Sequence, residues 1–452
     1  MKKYDVVIIG GGPSGIIVGV TGKKQNPEKS FLMITEKKQG LVPCGIPYLF
    51  HDLDDVKKNQ MGPKGFVDAG GDLLIDRVEK LDPARKIIQT AAGETVQYDK
   101  LVFATGSVPT IPSFIAGYDL ENVLYIKKEY DYIAEVMQKT QAAKEIVVIG
   151  GGFIGVEVAE QLAKFSDKNV SLVEMEKHCL SRAFSQTTTE KSDELIVKSG
   201  VKLHCANKVE RIVGQAGKVS AVQLSDGSQL PADVVIAAIG YRPNTDLAKK
   251  GGLEINANGA IQCDNYLRTN QPDIFAVGDC SSTSGFITGR TDNIMLASTA
   301  TAEARILGYN LFSIKLIRNF PNTISVFSTE INKVAFASAG ALEQVAAENQ
   351  IDYVVGRFSD TDRHPATIAD ASDLCVKLVV SPGDGKIIGG EMYGGKSVGE
   401  LVNVLALAIQ KQVTVYEMVG FQIGTHPLLT TAPTKYVLIK AAEEAMAAIA
   451  RR

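Results

Sequence analysis

Asp5-Val6-Val7-Ile8-Ile9-Gly10-Gly11-Gly12-Pro13-Ser14-Gly15 decides the fold, because the chain contains it in two versions. The second is Glu145-Ile146-Val147-Val148-Ile149-Gly150-Gly151-Gly152-Phe153-Ile154-Gly155. In each, an unbroken apolar run reads as a strand buried on both faces, and a GxGxxG turn follows it. Each turn leads through a helix into a second apolar strand ending on an acid: Phe31-Leu32-Met33-Ile34-Thr35-Glu36, then Val170-Ser171-Leu172-Val173-Glu174. The acids fall roughly two dozen residues beyond the first glycine, near the spacing of a dinucleotide-binding unit. Gly10 and Gly150 would make the tight turn, and Gly12 and Gly152 would let the backbone approach a pyrophosphate. Gly15 and Gly155 would pack helix on sheet, with the helix N-terminus facing the anion. Glu36 and Glu174 would accept hydrogen bonds from ribose hydroxyls. One such turn alone carries little weight. Two complete units specify two dinucleotide sites.

Further landmarks repeat outward from these turns. Leu101 to Gly106 and Val234 to Gly240 are buried-strand runs ending in glycine, each after an insert with a turn at Ala92-Gly93 or Asp226-Gly227. Thr269 to Asp279 delivers an aspartate at the carboxyl end of a strand, where ligands of open α/β sheets sit. After about residue 320 the pattern becomes α+β without a nucleotide signature. Thr323 to Ala337, Tyr353 to Arg357, Cys375 to Ser381 and Lys386 to Tyr393 read as strands, and Ser397 to Lys411 and Thr434 to Ala450 as helices.

The 452 residues suit two or three domains. Apolar residues at 45% and charged residues at 22% are ordinary for a globular chain. A net charge of −3 gives no basic footprint for nucleic acid. No apolar run approaches the ~18–20 residues of a membrane span, and the amino terminus reads as neither signal peptide nor anchor. Six irregularly spaced cysteines do not make a secreted disulfide framework and fit reduced thiols in a cytoplasm. No metal site is expected.

Cys44 stands alone in Leu41-Val42-Pro43-Cys44-Gly45-Ile46-Pro47-Tyr48, shortly after the acid that closes the first unit. That address places a thiol beside the reactive part of a bound dinucleotide. No CxxC or CxxxxC partner exists, so its chemistry must run through a mixed disulfide, a persulfide or a sulfenic acid. Pro43 and Gly45-Ile46-Pro47 place it at the expected start of a helix, whose N-terminus would lower the thiol pKa. The other five cysteines read as structural.

Together these landmarks resemble the pyridine-nucleotide–disulfide oxidoreductase family, nearly end to end. The lone cysteine in Pro-Cys-Gly-Ile-Pro-Tyr is similar to the branch of coenzyme A disulfide reductases, NADH oxidases, NADH peroxidases and sulfur reductases. The resemblance implies an α/β fold of two Rossmann-like domains plus a C-terminal α+β dimerisation domain. An FAD domain over 1–115 and 249–320 would enclose an NAD(P)H domain over 116–248, with the interface domain over 321–452.

By the same resemblance FAD would lie on Gly10, Gly12, Pro13, Ser14 and Gly15, with Glu36 and Lys37 beyond. Asp279 would take its ribityl or pyrophosphate region, and Thr105-Gly106 would pass close to the flavin. Leu296-Ala297-Ser298 would begin a helix whose amides face the flavin pyrimidine edge. Gly150, Gly152, Phe153, Ile154, Gly155 and Gly240 would receive NADH, with Phe153 an aromatic gate and Glu157 near the nicotinamide. Glu174 disfavours the 2′-phosphate of NADPH, although Lys177 and His178 keep NADPH possible. As pairs, Lys23-Lys24 and Lys37-Lys38 read as solvated charge able to attract a phosphorylated carrier such as coenzyme A.

The implied activity is NADH-dependent reduction of a small disulfide, persulfide or polysulfide, coenzyme A species included, by a homodimer. His426 and His364, each before a proline, would arrive from the second subunit as acid/base. One alternative is an NADH oxidase that cycles Cys44 through sulfenic acid to reduce oxygen or peroxide. Another is an electron-transfer reductase for a protein partner, against which Cys44 argues. A dedicated peroxidase is disfavoured because Pro13-Ser14 replaces the histidine found in that loop. No rhodanese-like segment is expected after residue 452.

Overall fold

The computed structural model describes residues 1–292, 294–318 and 322–452. Lys2–Ile9 lies inside a parallel sheet, flanked by Phe31–Thr35 on one side and Thr95–Phe103 on the other. Asp72–Ile75 extends the sheet past Phe31–Thr35, and Ile274–Ala276 joins the carboxyl end of Thr95–Phe103. Val6, Val7 and Ile8 are fully buried, as strands covered on both faces must be. Val78–Asp82 and Ile87–Thr90 add an antiparallel meander to the amino half of Thr95–Phe103.

The second sheet repeats this plan. Glu145–Ile149 pairs in parallel with Asn169–Val173 and with Val234–Ala237. Val123–Tyr125 and Lys202–His204 form the edges. A meander of Val209–Gln215, Lys218–Leu224 and Gln229–Pro231 accompanies it. Helices Pro13–Gln25 and Phe153–Ala163 begin directly at the two glycine turns.

The C-terminal module is an antiparallel five-stranded sheet in the order Val326–Ile331, Val334–Gly340, Ile387–Gly394, Asp373–Val380, Val354–Thr361. Helices Val398–Gln410 and Val437–Ala450 bury apolar faces in its core, through Val402, Leu405, Leu438 and Ala441 among others. The stretch expected as one strand over Thr323 to Ala337 is a hairpin. It reverses at Asn332-Lys333, both with positive φ, and lacks the Asn-Gly or Asp-Gly pair that marks such turns in sequence. The expected domain boundary at 320/321 lies outside the described residues. Among those residues no helix is long and apolar enough to cross a membrane.

A buried polar knot joins this module to the second nucleotide unit. Lys377 and Glu391 are almost wholly buried, with Nζ 2.6 Å from Glu391 Oε1. Glu391 also accepts from the Ser185 amide at 2.8 Å and the Thr188 hydroxyl at 2.7 Å. Lys377 pairs with Glu343 as well. With both charges paired and hydrogen-bonded, the knot satisfies what burial demands.

Candidate functional site

A single cavity of about 2710 Å³ runs between the sheets and past the C-terminal module, and both glycine turns open into it. Its wall carries Gly10, Gly12, Pro13, Ser14, Glu36, Lys37, Cys44, Thr105, Gly106, Asp279, Leu296, Ala297 and Ser298. It also carries Gly150, Gly152, Phe153, Ile154, Glu157, Glu174 and Gly240. Gly15 and Gly155 sit beneath the turns instead, as packing glycines should.

The turns fit the groups expected of them. A Cβ on Gly10, which has φ +114°, would lie 2.1 Å from the Ala104 carbonyl oxygen; on Gly150, φ +106°, it would lie 2.6 Å from that of Ala238. On Gly15 and Gly155 it would strike the carbonyl oxygens of Gly10 and Gly150, at 2.1 and 1.9 Å. At Gly12 and Gly152 it would meet nothing within 4 Å. Each turn is therefore closed on its protein side and open toward the cavity, where a helix N-terminus can receive a pyrophosphate.

Cys44 sits in a 3₁₀ turn, Pro43–Gly45, followed by a second one, Pro47–Phe50. This corrects the expected helix start: two prolines close together divide the segment into single turns. Asn59 anchors the segment, its Nδ2 donating to the Val42 carbonyl at 3.0 Å, and Ile46, Leu49 and Phe50 bury beside it. The sulfur opens onto the cavity, yet the surrounding walls strip enough water to push the thiol pKa up. The Glu157 carboxylate adds to the rise and the Lys128 ammonium opposes it. The expected lowering by a helix terminus is not realised.

Glu157 projects from the helix of the second turn, and burial raises its carboxyl to about 7. Thr329 Oγ1 donates to it at 2.8 Å and opposes that rise, while Glu160 adds to it. Phe153 stacks on Phe327 with ring centroids 5.4 Å apart, so the expected gate rests on the C-terminal module.

Asp279 Oδ2 accepts from Ser107 Oγ at 2.7 Å and from Lys128 Nζ at 2.9 Å. That ammonium also lies 4.9 Å from the Tyr241 ring centroid, and the Tyr241 hydroxyl donates to the Ile126 carbonyl. Lys128, Ser107 and Tyr241 line the cavity and carried no sequence signal, since they come from segments far apart in the chain. Lys37 is a second correction. It is partly buried rather than solvated, its Nζ donates to the Lys128 carbonyl at 2.7 Å, and desolvation lowers its pKa.

Glu36 is exposed and has no hydrogen bond among the described residues. Glu174 accepts from the Gly151 amide at 2.5 Å and the Glu176 amide at 2.8 Å. His364 and His426 lie off this cavity, in one C-terminal unit: the His364 amide donates to the Pro427 carbonyl at 3.1 Å, and its Nδ1 lies 2.9 Å from the Thr430 carbonyl. Exposed Leu428 and Leu429 continue that face.

The family model described as "Pyridine nucleotide-disulphide oxidoreductase" matches residues 4–304, and its dimerisation domain matches 326–437. A protein named NADH oxidase from Enterococcus faecalis is 34% identical over 335 residues, 74% of this chain and 73% of that one. An NAD(P)H coenzyme A polysulfide/persulfide reductase from Pyrococcus horikoshii is 30% identical over 402 residues, 87% of this chain and 88% of the other. The solved structure of an NAD-dependent persulfide reductase from A. fulgidus superimposes with TM-score 0.88 at 29% identity, covering 98% of this chain and 83% of that one.

Proposed function

Because this chain belongs to the pyridine nucleotide-disulphide oxidoreductase family, we propose that it reduces a small disulfide, persulfide or polysulfide, coenzyme A species among them, through Cys44. It is an oxidoreductase that takes FAD and NAD(P)H. The observation that carries the reading is that Cys44 is the only cysteine among the described residues on the cavity wall. In this reading the lone thiol bonds to the substrate's own sulfur.

The first turn and Asp279 would hold FAD; the second turn and Glu174 would hold NAD(P)H. FAD, when bound, supplies two-electron transfer between nicotinamide and sulfur. Cys44 attacks one sulfur of the substrate: its new S–S bond forms as the old one breaks, and the other sulfur leaves as a thiolate. With the Cys44 pKa raised by burial, the thiol must give up its proton on attack. Lys128 is placed to favour the resulting anion. Glu157, with a pKa of about 7, is matched to hold or return that proton at neutral pH.

His426 and His364 act from a second copy of the chain, protonating the departing thiolate across the dimer. Their position off the cavity of their own chain supports this, as does the dimerisation-domain match. Mixing inactive Cys44→Ser and His426→Gln homodimers through reversible dissociation should then restore activity. Random pairing puts one complete site in half the dimers, about a quarter of wild-type activity; no recovery at all would place the acid elsewhere.

Oxygen is the second acceptor, favoured by the 34% identical NADH oxidase. Anaerobic titration with NADH, followed by reoxidation with coenzyme A disulfide, polysulfide, peroxide or oxygen, separates the two. Fastest reoxidation by a sulfur compound supports the main reading, and fastest reoxidation by oxygen replaces it.

A further inference from the structure

Cys179 and Cys205 lie outside the cavity wall, Cys179 directly beneath the second glycine turn. Cys179 lies in the loop after Asn169–Val173, and Cys205 directly follows Lys202–His204. These adjacent strands are paired in parallel, with Val173 opposite His204. The pairing continues beyond the strand ends, the Glu174 amide donating to the His204 carbonyl at 2.9 Å and the Ala206 amide to the Glu176 carbonyl at 2.7 Å. The two sulfurs and a carboxylate oxygen of Asp193 all lie within 4.8 Å of one another. Cys179 is fully buried and Cys205 half-buried.

We propose that Cys179 and Cys205 are a reversible dithiol–disulfide switch whose oxidation weakens binding at the second nucleotide turn. Side-chain rotation has to bring the sulfurs from within 4.8 Å to the ~2.05 Å of an S–S bond. A bound cation is the weaker reading of the same cluster, because both Asp193 oxygens are engaged. Oδ1 accepts the Cys179 amide at 3.1 Å, and Oδ2 lies 2.8 Å from His178 Nδ1.

The chemistry balances with hydrogen peroxide as oxidant. The sulfur of Cys205, the more accessible of the two, attacks one peroxide oxygen as a thiolate, breaking the O–O bond. This gives a sulfenic acid and hydroxide, which takes the thiol proton and leaves as water. The Cys179 sulfur then displaces the sulfenic oxygen, forming the S–S bond and a second water, with its own proton going to that water. Two thiols lose one electron pair, and the peroxide gains it.

The consequence follows from what the Cys179 sulfur supports. It lies 2.6 Å from where a Cβ on Gly151 would be, with Glu174 Oε2 at 2.9 Å from the same point. The next residue ties the loop to the turn, its amide (Leu180) donating to the Gly151 carbonyl at 2.8 Å. Drawing Cys179 toward Cys205 removes the packing under Gly151. It also disturbs the amide–carboxylate bond that sets Glu174 for the ribose of NAD(P)H.

The test uses the flavin-loaded Cys44→Ser protein, so that the cavity thiol does not report, and NAD⁺ as the probe. After peroxide, peptide mass mapping should show Cys179 joined to Cys205, with two thiols lost per chain. The Kd for NAD⁺ should rise on the order of tenfold, the effect of disturbing one hydrogen bond to a charged group. Dithiothreitol should reverse both. Cys44→Ser/Cys205→Ser should bind NAD⁺ like its parent and ignore peroxide. Absence of the Cys179–Cys205 link, or a link with unchanged affinity, overturns the proposal. NAD⁺ binding needs no electron acceptor, so failure here leaves the sulfur-reductase reading standing.

Discussion

The two glycine turns share a backbone and differ in what lies beneath it. Below Gly11 are the hydroxyl and methyl of Thr35, 3.1 and 3.2 Å from an added Cβ; below Gly151 are the Cys179 sulfur and the Glu174 carboxylate. The first acid, Glu36, is exposed, while Glu174 is fixed by two amides. The helices differ one turn in: where the second carries Glu157, the first carries Ile17. Backbone geometry thus selects the class of ligand, and the side chains beneath and beyond it decide what each site does. Under the proposed function, the first unit would keep a resident group, and the second would receive, orient and release a reactant beside Cys44.

The largest expected effect breaks the symmetry at the backbone. Gly10→Ala puts a methyl 2.1 Å from the Ala104 carbonyl oxygen at a φ of +114°, strain on the order of 3 kcal/mol or more. Purified Gly10→Ala should contain almost no flavin by absorbance, whereas Gly150→Ala should keep its flavin and lose NADH affinity about a hundredfold. Loss of flavin from Gly150→Ala would show that the two turns are not independent.

Glu157→Gln tests the difference between the helices. Burial raises this carboxyl from its ordinary 4.5 to about 7, so the folded chain favours its protonated form. The stability linked to it is fully present below pH 4.5 and is lost as pH rises through 7. Denaturant titration should find that Glu157→Gln removes a decline on the order of 3 kcal/mol across that window. An unchanged slope would exclude a buried, neutral Glu157.

The smallest expected effect concerns the acids. Glu174→Ala should weaken NADH binding about tenfold while sparing NADPH, measured as a ratio of Kd values. Glu36→Ala should leave that ratio alone and loosen only the flavin. Equal responses to both coenzymes in Glu174→Ala would remove this residue from coenzyme choice.

The paired nucleotide units were legible because each element is local and carries its own signal: apolar strand, glycine turn, helix and terminal acid lie in one short stretch. The place of Cys44 on the cavity wall was legible for the same reason. Lys128, Ser107 and Tyr241 were not, since Asp279 draws Ser107 and Lys128 from separate segments, Lys128 in turn meets Tyr241, and a lone Lys or Ser resembles any surface residue. The Cys179–Cys205 contact was equally hidden, because strand pairing rather than sequence proximity brings those sulfurs together. Expectations failed where local chemistry was ambiguous. Two prolines turned a presumed helix into single 3₁₀ turns, and Asn332-Lys333 reversed a strand without a glycine.

The central claim is that one thiol on a cavity shared by both turns handles the substrate's sulfur. Stopped-flow mixing of NADH-reduced Cys44→Ser protein with coenzyme A disulfide, and separately with ferricyanide, tests it most directly. The account predicts disulfide reduction at least about a thousandfold below wild type, with the covalent route lost, and ferricyanide reduction at the wild-type rate. Disulfide reduction by Cys44→Ser at a rate near wild type would contradict it.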